Sequence, residues 1–322
     1  MGIKGRMFLL VALLFAILYG VVIGIGVWSG AGNFGMYIIL AFVFLGIQYL
    51  VSPYIVARTM RVRWVSEKEA PELHRTVAGL AREARIPRPK VGISEVSIPN
   101  AFAFGRTRKD GRVCVTRGIL NLLNKDELKA VLGHELSHIK NRDMLTITLL
   151  SGVPLVMYWI AWIFMLRGAF GGGRGQGTGY AALIGLGAFG LYFLTNLLVM
   201  WGSRIREYSA DMGSVRLGNM PHHLASALYK LTYGSARLKR STEMKRVEGV
   251  RAFFLNDPSR AWYEIKELSQ IDRDMNGAID HDELAGLRQK TVSLKTSEKM
   301  MELFSSHPNM LRRIKQLSGI IA

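Results

Sequence analysis

Long uncharged apolar stretches dominate the hydropathy pattern of the chain. There are four of them, at Met7–Trp28, Asn33–Ala57, Met144–Leu166 and Tyr180–Trp201. A helix needs about 20 apolar residues to cross the hydrocarbon core of a bilayer, and each stretch meets that length. A buried core helix explains one such stretch but not four, so the pattern predicts four transmembrane helices. The last two form a hairpin, whose arms either cross the bilayer fully or lie partly at its interface.

Polar blocks separate and follow these stretches. The predicted parts are two transmembrane helices at 1–57, a polar block at 58–143, the transmembrane hairpin at 144–201 and a second polar block at 202–322. In the first block, side chains alternate along Asn100–Gly105 and Arg112–Thr116, which is typical of two strands joined as a hairpin. Phe102 and Phe104 alternate with Ala101 and Ala103, which predicts one buried face for the first strand. We therefore predict an α+β fold that is mostly helical, in which the two polar blocks form one domain.

Basic residues gather at the ends of the first two spans, at Lys4, Arg6, Arg58, Arg61 and Arg63. The positive-inside rule then places the amino terminus and both polar blocks in the cytoplasm of a cell-membrane protein. The 42 Lys and Arg exceed the 24 Asp and Glu, while 49% of the residues are hydrophobic. This balance excludes intrinsic disorder and indicates contact between the basic residues and anionic headgroups of the lipid bilayer. No stacking motif or basic helix stripe indicates nucleic acid, and a single cysteine excludes a disulfide scaffold.

The strongest chemical signal is an HExxH sequence in the first polar block. Asn124 is a good helix N-cap, and Glu127 completes a predicted capping box. On that helix His134 and His138 share one face, so their imidazoles converge on a single ion. Glu135 then lies beside the ion, where it accepts a proton from a metal-activated water. The alternative is a solvated helix face with two ordinary histidines.

A catalytic zinc site needs a third protein ligand and one position for water. The hairpin returns the chain to the same membrane side near Trp201, and the sequence RIREYSAD follows. We predict Glu207 as the third ligand. Asp211 lies four residues later on the same helical face, where it can hydrogen-bond the far nitrogen of a ligand histidine. The alternative is an exposed acidic pair beside two arginines.

These motifs together resemble the HtpX-type membrane zinc metallopeptidases. The matching segments are Asn100–Gly105, Leu132–Asp143, Arg206–Asp211 and His307–Ile314. The resemblance covers nearly the whole chain in the expected order. It implies a zincin-type protease domain formed by the two polar blocks. It also implies that the protein is a membrane-anchored endopeptidase on the cytoplasmic side, acting in quality control of misfolded or damaged membrane proteins under stress. It also implies that His134, His138 and Glu207 bind one zinc ion and that Glu135 is the general base.

Two further segments are candidates for contact with the substrate. An edge strand containing Asn100, Ala101, Phe102 and Ala103 can bind an extended substrate by strand addition, although a purely structural hairpin fits the same pattern. By the resemblance, His307 stabilises the oxyanion together with Arg313. The alternative there is a structural role, with the following proline starting a helix.

One segment departs from the family pattern. Asp272–Glu283 reads DRDMNGAIDHDE and matches a twelve-residue calcium loop within a predicted EF-hand-like segment at 262–290. The predicted calcium ligands are Asp272, Asp274, Asn276, Ala278 through its carbonyl, Asp280 and Glu283. The alternative is an acidic turn without an ion. Such loops usually work in pairs, and only one is found in this sequence. A purely structural role for the calcium ion therefore stays open beside a regulatory role.

Two functions compete for this sequence. The first is a zinc endopeptidase, modulated by calcium, that cleaves membrane-protein or unfolded polypeptide substrates. The second is a non-catalytic membrane scaffold or calcium sensor that keeps a structural zinc site. Glu135 discriminates between them, because a structural zinc site has no need of a general base. The sequence identifies neither the physiological substrate nor the oligomeric state.

Overall fold

The computed structural model describes residues 34–170, 177–237, 271–289 and 296–320, and single positions at 7, 9, 10, 13, 14, 17, 18, 21, 255, 264, 265, 268 and 270. The chain forms two compact units. The first comprises Met1–Leu50 and Leu145–Ile205, and the second comprises Val51–Met144 and Arg206–Ala322.

The described elements are mostly helical. The helices are α1 (Phe34–Thr59), α2 (Pro71–Ala84), α3 (Arg117–Leu122), α4 (Lys125–Asn141), α5 (Asp143–Phe170), α6 (Gly177–Arg216), α7 (Pro221–Arg237), α8 (His281–Leu287), α9 (Thr296–Leu303) and α10 (Met310–Ser318). The strands are β1 (Val62–Trp64), β2 (Lys90–Ser94), β3 (Ala101–Phe104) and β4 (Arg112–Thr116). This content agrees with the predicted mostly helical α+β class.

Two helices among the described residues are long and apolar enough to cross a membrane. They are Asp143–Leu166 within α5 and Tyr180–Arg216 within α6. They correspond to the two arms of the predicted hairpin. In the first unit they pack on each other through an apolar cluster that includes Met157, Ala161 and Ala188. Large apolar side chains on the other faces of these helices are exposed: Leu149, Trp162, Leu183, Leu186 and Phe193.

The first two predicted spans have less structural description. Met7–Trp28 lies mostly outside the described residues. Asn33–Ala57 falls on helix α1, several of whose side chains also lie outside them. Four transmembrane helices therefore remain a prediction, of which the structure contains two candidate spans.

The second unit contains a four-stranded sheet in the order β1-β2-β4-β3. Strand β4 pairs in parallel with β2 and antiparallel with β3. The predicted hairpin is thus present, and a short 3-10 turn at Arg108–Asp110 connects its strands. Strand β3 lies at one edge of the sheet, with Phe102 opposite Cys114 in the register.

The alternation in β3 predicts one buried face, and this expectation is wrong. All four residues of the strand are buried. Phe102 and Phe104 pack in a small cluster with Val56, at the end of α1, and with Ile98. Ala101 and Ala103 face the main core, against which α4 packs. The small residues of β3 therefore accommodate a helix on one face of the strand, while its aromatic residues fill the other face.

Small residues allow α4 and the end of α6 to approach closely. A Cβ atom at Gly133 would lie 2.3 Å from Asn219 Nδ2 and 2.8 Å from Ser214 Oγ. One at Gly213 would lie 2.3 Å from Ser137 Oγ. At this distance Ser214 Oγ donates a hydrogen bond to the Ala130 carbonyl of α4, at 2.6 Å. The crossing brings the carboxylates of α6 next to the histidines of α4.

Candidate metal centre

Helix α4 positions the two histidines of the HExxH sequence. Asn124 and Glu127 form the predicted capping box, in which each side chain accepts a hydrogen bond from the other's backbone N–H at 2.9 Å. This satisfies two of the open amides at the helix start. One helical turn apart, His134 and His138 point their Nε2 atoms at the same place, 3.0 Å from each other. The regular helix therefore creates the two-histidine pair.

Glu207 of α6 completes a group of three donors. Its Oε2 lies 3.5 Å from His134 Nε2, and its Oε1 lies 3.6 Å from His138 Nε2. All three donor atoms lie within 4.8 Å of one another. Two imidazoles and one carboxylate are a donor set of catalytic zinc sites, whose bond lengths of about 2.0–2.2 Å require ligand separations of roughly this size. The geometry fits a tetrahedral ion with one open position.

The electrostatics of the group also favour a bound cation. Glu207 Oε2 is buried and receives no hydrogen bond from the described residues. Burial works to lower the pKa of His134, but the neighbouring carboxylates of Asp211 and Glu207 more than offset it and raise that pKa to about 9. A site that holds a proton this strongly carries excess negative charge, which a metal ion would neutralise.

A carboxylate contacts the Nδ1 atom of each histidine. Asp211 Oδ1 lies 2.8 Å from His134 Nδ1, as the spacing from Glu207 predicts. Asp143 Oδ2 lies 2.6 Å from His138 Nδ1. With Nδ1 engaged in this way, each ring presents Nε2 to the metal position. Asp143 is not among the residues predicted from sequence, although it lies five residues beyond His138 at the end of the segment Leu132–Asp143.

Arg313 of α10 contacts two carboxylates of the candidate metal centre. Its side chain is fully buried. It donates to both oxygens of Asp211, from Nη2 at 2.6 Å and from Nε at 2.9 Å, and its Nη1 lies 3.3 Å from Glu207 Oε2. A bidentate pair of this kind fixes the carboxylate in the plane of the guanidinium. Arg313 Nη1 also donates to the Leu255 carbonyl at 2.7 Å. The oxyanion role that the resemblance implies for Arg313 stays a prediction.

A model of peptidase family M48 matches residues 67–321, which include every residue of this centre. The chain belongs to peptidase family M48. It is a metallopeptidase, as its similarity to curated proteases also shows.

Proteases of this kind from several organisms resemble the chain over most of their length. A "Protease HtpX homolog" of Methanothermobacter thermautotrophicus is 52% identical over 229 residues, covering 71% of this chain and 85% of the relative. Another, of Moorella thermoacetica, is 35% identical over 318 residues, covering 98% and 93%. The crystal structure of S. mikatae Ste24p aligns with a TM-score of 0.54 at 14% identity. That alignment covers 97% of this chain and 64% of Ste24p, and it shows a shared fold.

Glu135 lies beside the donor group of this M48 peptidase. It is buried, and the backbone of Ala103 on β3 is close enough to its carboxylate to act on its pKa. Burial raises the pKa of Glu135, and the nearby charges of His134 and His138 only partly oppose this, so its pKa lies above that of an ordinary glutamate. A raised pKa makes a carboxylate a better proton acceptor and donor near neutral pH.

His307 approaches the same centre from the segment before α10. Its Nδ1 lies 3.7 Å from Glu207 Oε2. The ring is buried, and neither ring nitrogen makes a hydrogen bond within the described part of the chain. Both nitrogens therefore remain available to a group that enters the centre. The resemblance predicts this neighbourhood for His307.

The residues predicted to bind substrate are all buried. Asn100 Oδ1 accepts a hydrogen bond from the Leu255 amide at 2.9 Å, so its side chain stabilises the fold. Ala101 and Phe102 pack into the two cores described above. Ala103 lies next to Glu135 through its backbone amide. Any substrate contact of β3 is thus restricted to its backbone edge.

The predicted calcium loop brings three carboxylates together. Donor atoms of Asp272, Asp274 and Glu283 lie within 4.8 Å of one another. Asp272 accepts from the amides of Asn276 and Gly277, at 3.1 and 3.0 Å. The sharp turn of the predicted motif occurs at Gly277, where φ is +81° and the glycine avoids the strain of a side chain.

Other predicted calcium ligands have different contacts in this conformation. Asp280 caps α8, forming a capping box with Glu283. Asn276 Oδ1 accepts from the Ala278 amide at 2.8 Å. Most of the first predicted helix of this EF-hand-like segment lies outside the described residues. The described loop therefore contains three of the six predicted ligands in one group.

Proposed function

We propose that this M48 peptidase is a zinc-dependent integral-membrane endopeptidase that cleaves misfolded or damaged membrane proteins on the cytoplasmic side. The observation that carries the proposal is the convergence of His134, His138 and Glu207 beside the buried Glu135. A structural zinc site has four protein ligands, whereas this group has three and an adjacent base, which is the catalytic pattern. A purely structural role for zinc is therefore disfavoured.

The chain's own residues supply the remaining chemistry. A zinc ion held by His134, His138 and Glu207 would supply an acidified water molecule and polarisation of the scissile carbonyl. Glu135 takes the proton from the attacking water and then delivers it to the leaving amine. His307 offers a ring N–H to the negative charge that develops on the carbonyl oxygen. Asp211 and Asp143 keep the imidazole rings aimed at the ion.

The backbone edge of β3 is suited to hold an extended substrate. The strand lies at the end of the described sheet, and its Ala103 contacts the general base. A peptide added there pairs through main-chain hydrogen bonds, and its carbonyls then lie near Glu135. Recognition of this kind depends little on substrate side chains, which suits unfolded polypeptides as a substrate class.

Metal removal tests the zinc requirement. We expect a chelator to abolish cleavage of an unfolded polypeptide and one equivalent of zinc to restore it, because three ligands hold a single ion. Restoration is expected to fail in His138→Ala and to succeed in His74→Ala, whose histidine contacts Val65 and Arg88 instead. Full cleavage by the zinc-free protein would contradict the proposal.

The membrane part of the proposal rests on α5 and α6. Both contain a candidate span with exposed apolar side chains. Basic residues at the ends of the predicted spans favour a cytoplasmic position for the peptidase centre. The first two spans complete a four-helix, multi-pass arrangement in this proposal.

Calcium binding at Asp272–Glu283 is the last part of the proposal. Carboxylate oxygens are the donors that Ca²⁺ prefers, and Asn276, Ala278 and Asp280 add further oxygens when the loop closes around the ion. Tyr229 of α7 donates a hydrogen bond to Asp272 at 2.9 Å. Helix α7 also packs against α4. Calcium would thereby modulate cleavage, since α7 links the loop to the helix that carries the ligand histidines.

Calcium titration with zinc kept saturated tests this part separately. We expect Asp274→Asn to weaken calcium binding and to remove the calcium dependence of cleavage. Asp282→Asn makes the same change at an exposed position of the loop that is not a predicted ligand and is expected to behave like the wild type. Equal cleavage with and without calcium in the wild type would refute modulation.

A further inference from the structure

A basic cleft lies in the second unit at the end of helix α1. It has a volume of about 720 Å³ and includes five basic residues and one acidic residue: Arg58, Arg88, Lys90, Lys109, Arg112 and Asp110. The aromatic residues Tyr54 and Trp64 also line it. This volume lies within the range of small-molecule sites. The cleft plays no part in the peptidase chemistry described above.

The single carboxylate of the cleft is already neutralised. Asp110 Oδ1 accepts from Arg112 at 2.8 Å, and Asp110 Oδ2 accepts from Arg106 at 2.9 Å. Burial works to raise the pKa of Asp110, but these two arginines outweigh it and lower that pKa, so the group stays ionised. Arg88 pairs with Glu67 outside the cleft lining. Two of the five cations are thus paired with carboxylates.

Three positive charges of the cleft have no acidic partner among the described residues. Arg58 and Lys109 are exposed and make neither an ion pair nor a side-chain hydrogen bond there. Lys90 Nζ instead lies 4.3 Å from the centre of the Trp64 ring. Three uncompensated cations around one concave surface create a positive potential that attracts an anion. Phosphate is a preferred anion of arginine and lysine.

Helix α1 joins the cleft to an apolar surface. Val51, Tyr54 and Ile55 are exposed in the turns before Arg58. Tyr54 is 62% exposed, and its ring lies 5.6 Å from the Arg112 guanidinium. Exposed apolar residues followed by tyrosine, tryptophan and arginine are typical of a helix that leaves a bilayer. A ligand that fits both surfaces has acyl chains and an anionic headgroup.

We propose that the basic cleft binds the phosphate-bearing headgroup of an anionic phospholipid, whose acyl chains lie along Val51 and Ile55 of α1. This inference rests on the proposed placement of α1 in the membrane. A zwitterionic lipid is a poorer ligand, because its headgroup cation meets the three unpaired cations of the cleft. The bound lipid anchors the second unit to the cytoplasmic leaflet through a specific site.

Native mass spectrometry of the full chain in neutral detergent tests the proposal. The probes are phosphatidylglycerol, phosphatidylcholine with the same acyl chains, glycerol 3-phosphate and an oligoglutamate peptide. We expect phosphatidylglycerol to bind in preference to the other three. Equal binding of the two lipids would overturn the proposal. Binding of glycerol 3-phosphate as tight as that of phosphatidylglycerol would overturn the lipid as ligand. Displacement of the lipid by oligoglutamate would overturn it in favour of an acidic peptide.

Matched variants locate the binding. Replacing Arg58 and Lys109 by glutamine is expected to weaken phosphatidylglycerol binding by about 10- to 30-fold. The control variant replaces Arg82 and Lys129 by glutamine; both residues are exposed and lie outside the cleft. It removes the same charge and is expected to change phosphatidylglycerol binding less than about twofold. The double exchange Arg58→Lys and Lys109→Arg retains the charges and is expected to retain binding. Equal losses in the two glutamine variants would overturn the proposal.

Lipid binding and proteolysis are independent readouts here. The lipid measurement needs no substrate and no working Glu135. A wild-type protein that shows zinc-dependent cleavage but no selective binding of phosphatidylglycerol would overturn only this inference. Failure of the wild type to cleave, with selective lipid binding intact, would instead overturn the proposed peptidase function.

Discussion

At the scale of single residues, an acidic partner orients each histidine of the candidate metal centre. Asp211 holds His134 and is itself held by Arg313. Asp143 holds His138. Asp211 could be predicted from sequence, because four-residue spacing on a helix fixes its direction. Asp143 could not, since its position depends on Arg142, which ends α4 with φ +57° and turns the chain back; an arginine gives no signal of that conformation.

Replacing Asp143 by asparagine tests the orienting role. The neutral amide loses the charge that supports the His138 ring, so we expect zinc affinity to fall by about 10- to 100-fold. Competition with a zinc-binding dye measures this. The matched change Asp126→Asn, at an exposed position of the same helix, is expected to keep wild-type affinity. Unchanged affinity in Asp143→Asn would show that the carboxylate does not support the ligand.

At the scale of elements, the site depends on how closely α4 crosses α6. The capping box and the histidine spacing are local signals, so α4 and the face that carries both histidines could be predicted. The crossing could not, because it depends on Gly133 and Gly213 facing Ser214 and Ser137 from a distant part of the chain. The burial of both faces of β3 was missed for the same reason, since α1 and α4 approach it from elsewhere.

Gly133→Ala tests the crossing. A methyl group there meets Asn219 and Ser214 at less than contact distance, so we expect a loss of stability of about 1–3 kcal/mol and weaker zinc binding. Gly79→Ala is the matched control, because no atom lies within 4 Å of its added Cβ on helix α2. That change is expected to stabilise by about 0.5–1 kcal/mol. Thermal unfolding in detergent compares them, and equal effects would contradict a tight crossing.

At the scale of the whole molecule, the hydropathy and charge patterns predict the membrane arrangement. Apolar length identifies candidate spans directly, and α5 and α6 meet that criterion in the structure. The partners of a basic residue are harder to predict, because pairing depends on the fold. Asp110 neutralises two arginines of the second unit, whereas Arg58 and Lys109 stay unpaired among the described residues. The basic cleft therefore becomes apparent only in three dimensions.

Tag accessibility in oriented vesicles tests the topology. We expect an epitope placed in the 167–179 connection to be digested only from the outside and an epitope after Ala322 only from the cytoplasmic side. The physical reason is that, in the proposed topology, both hairpin arms cross the bilayer and return the chain to the side of the peptidase centre. Digestion of both epitopes from the same side would mean that the hairpin does not cross.

The most direct test of the account is cleavage by Glu135→Gln, measured together with its zinc content. Glutamine keeps the shape of the side chain but cannot accept the proton of water, so we expect one zinc per chain and cleavage reduced by about 10²- to 10⁴-fold. The exposed Glu83→Gln on α2 is expected to cleave like the wild type. Wild-type cleavage by the zinc-loaded Glu135→Gln protein would contradict the assignment of Glu135 as the general base.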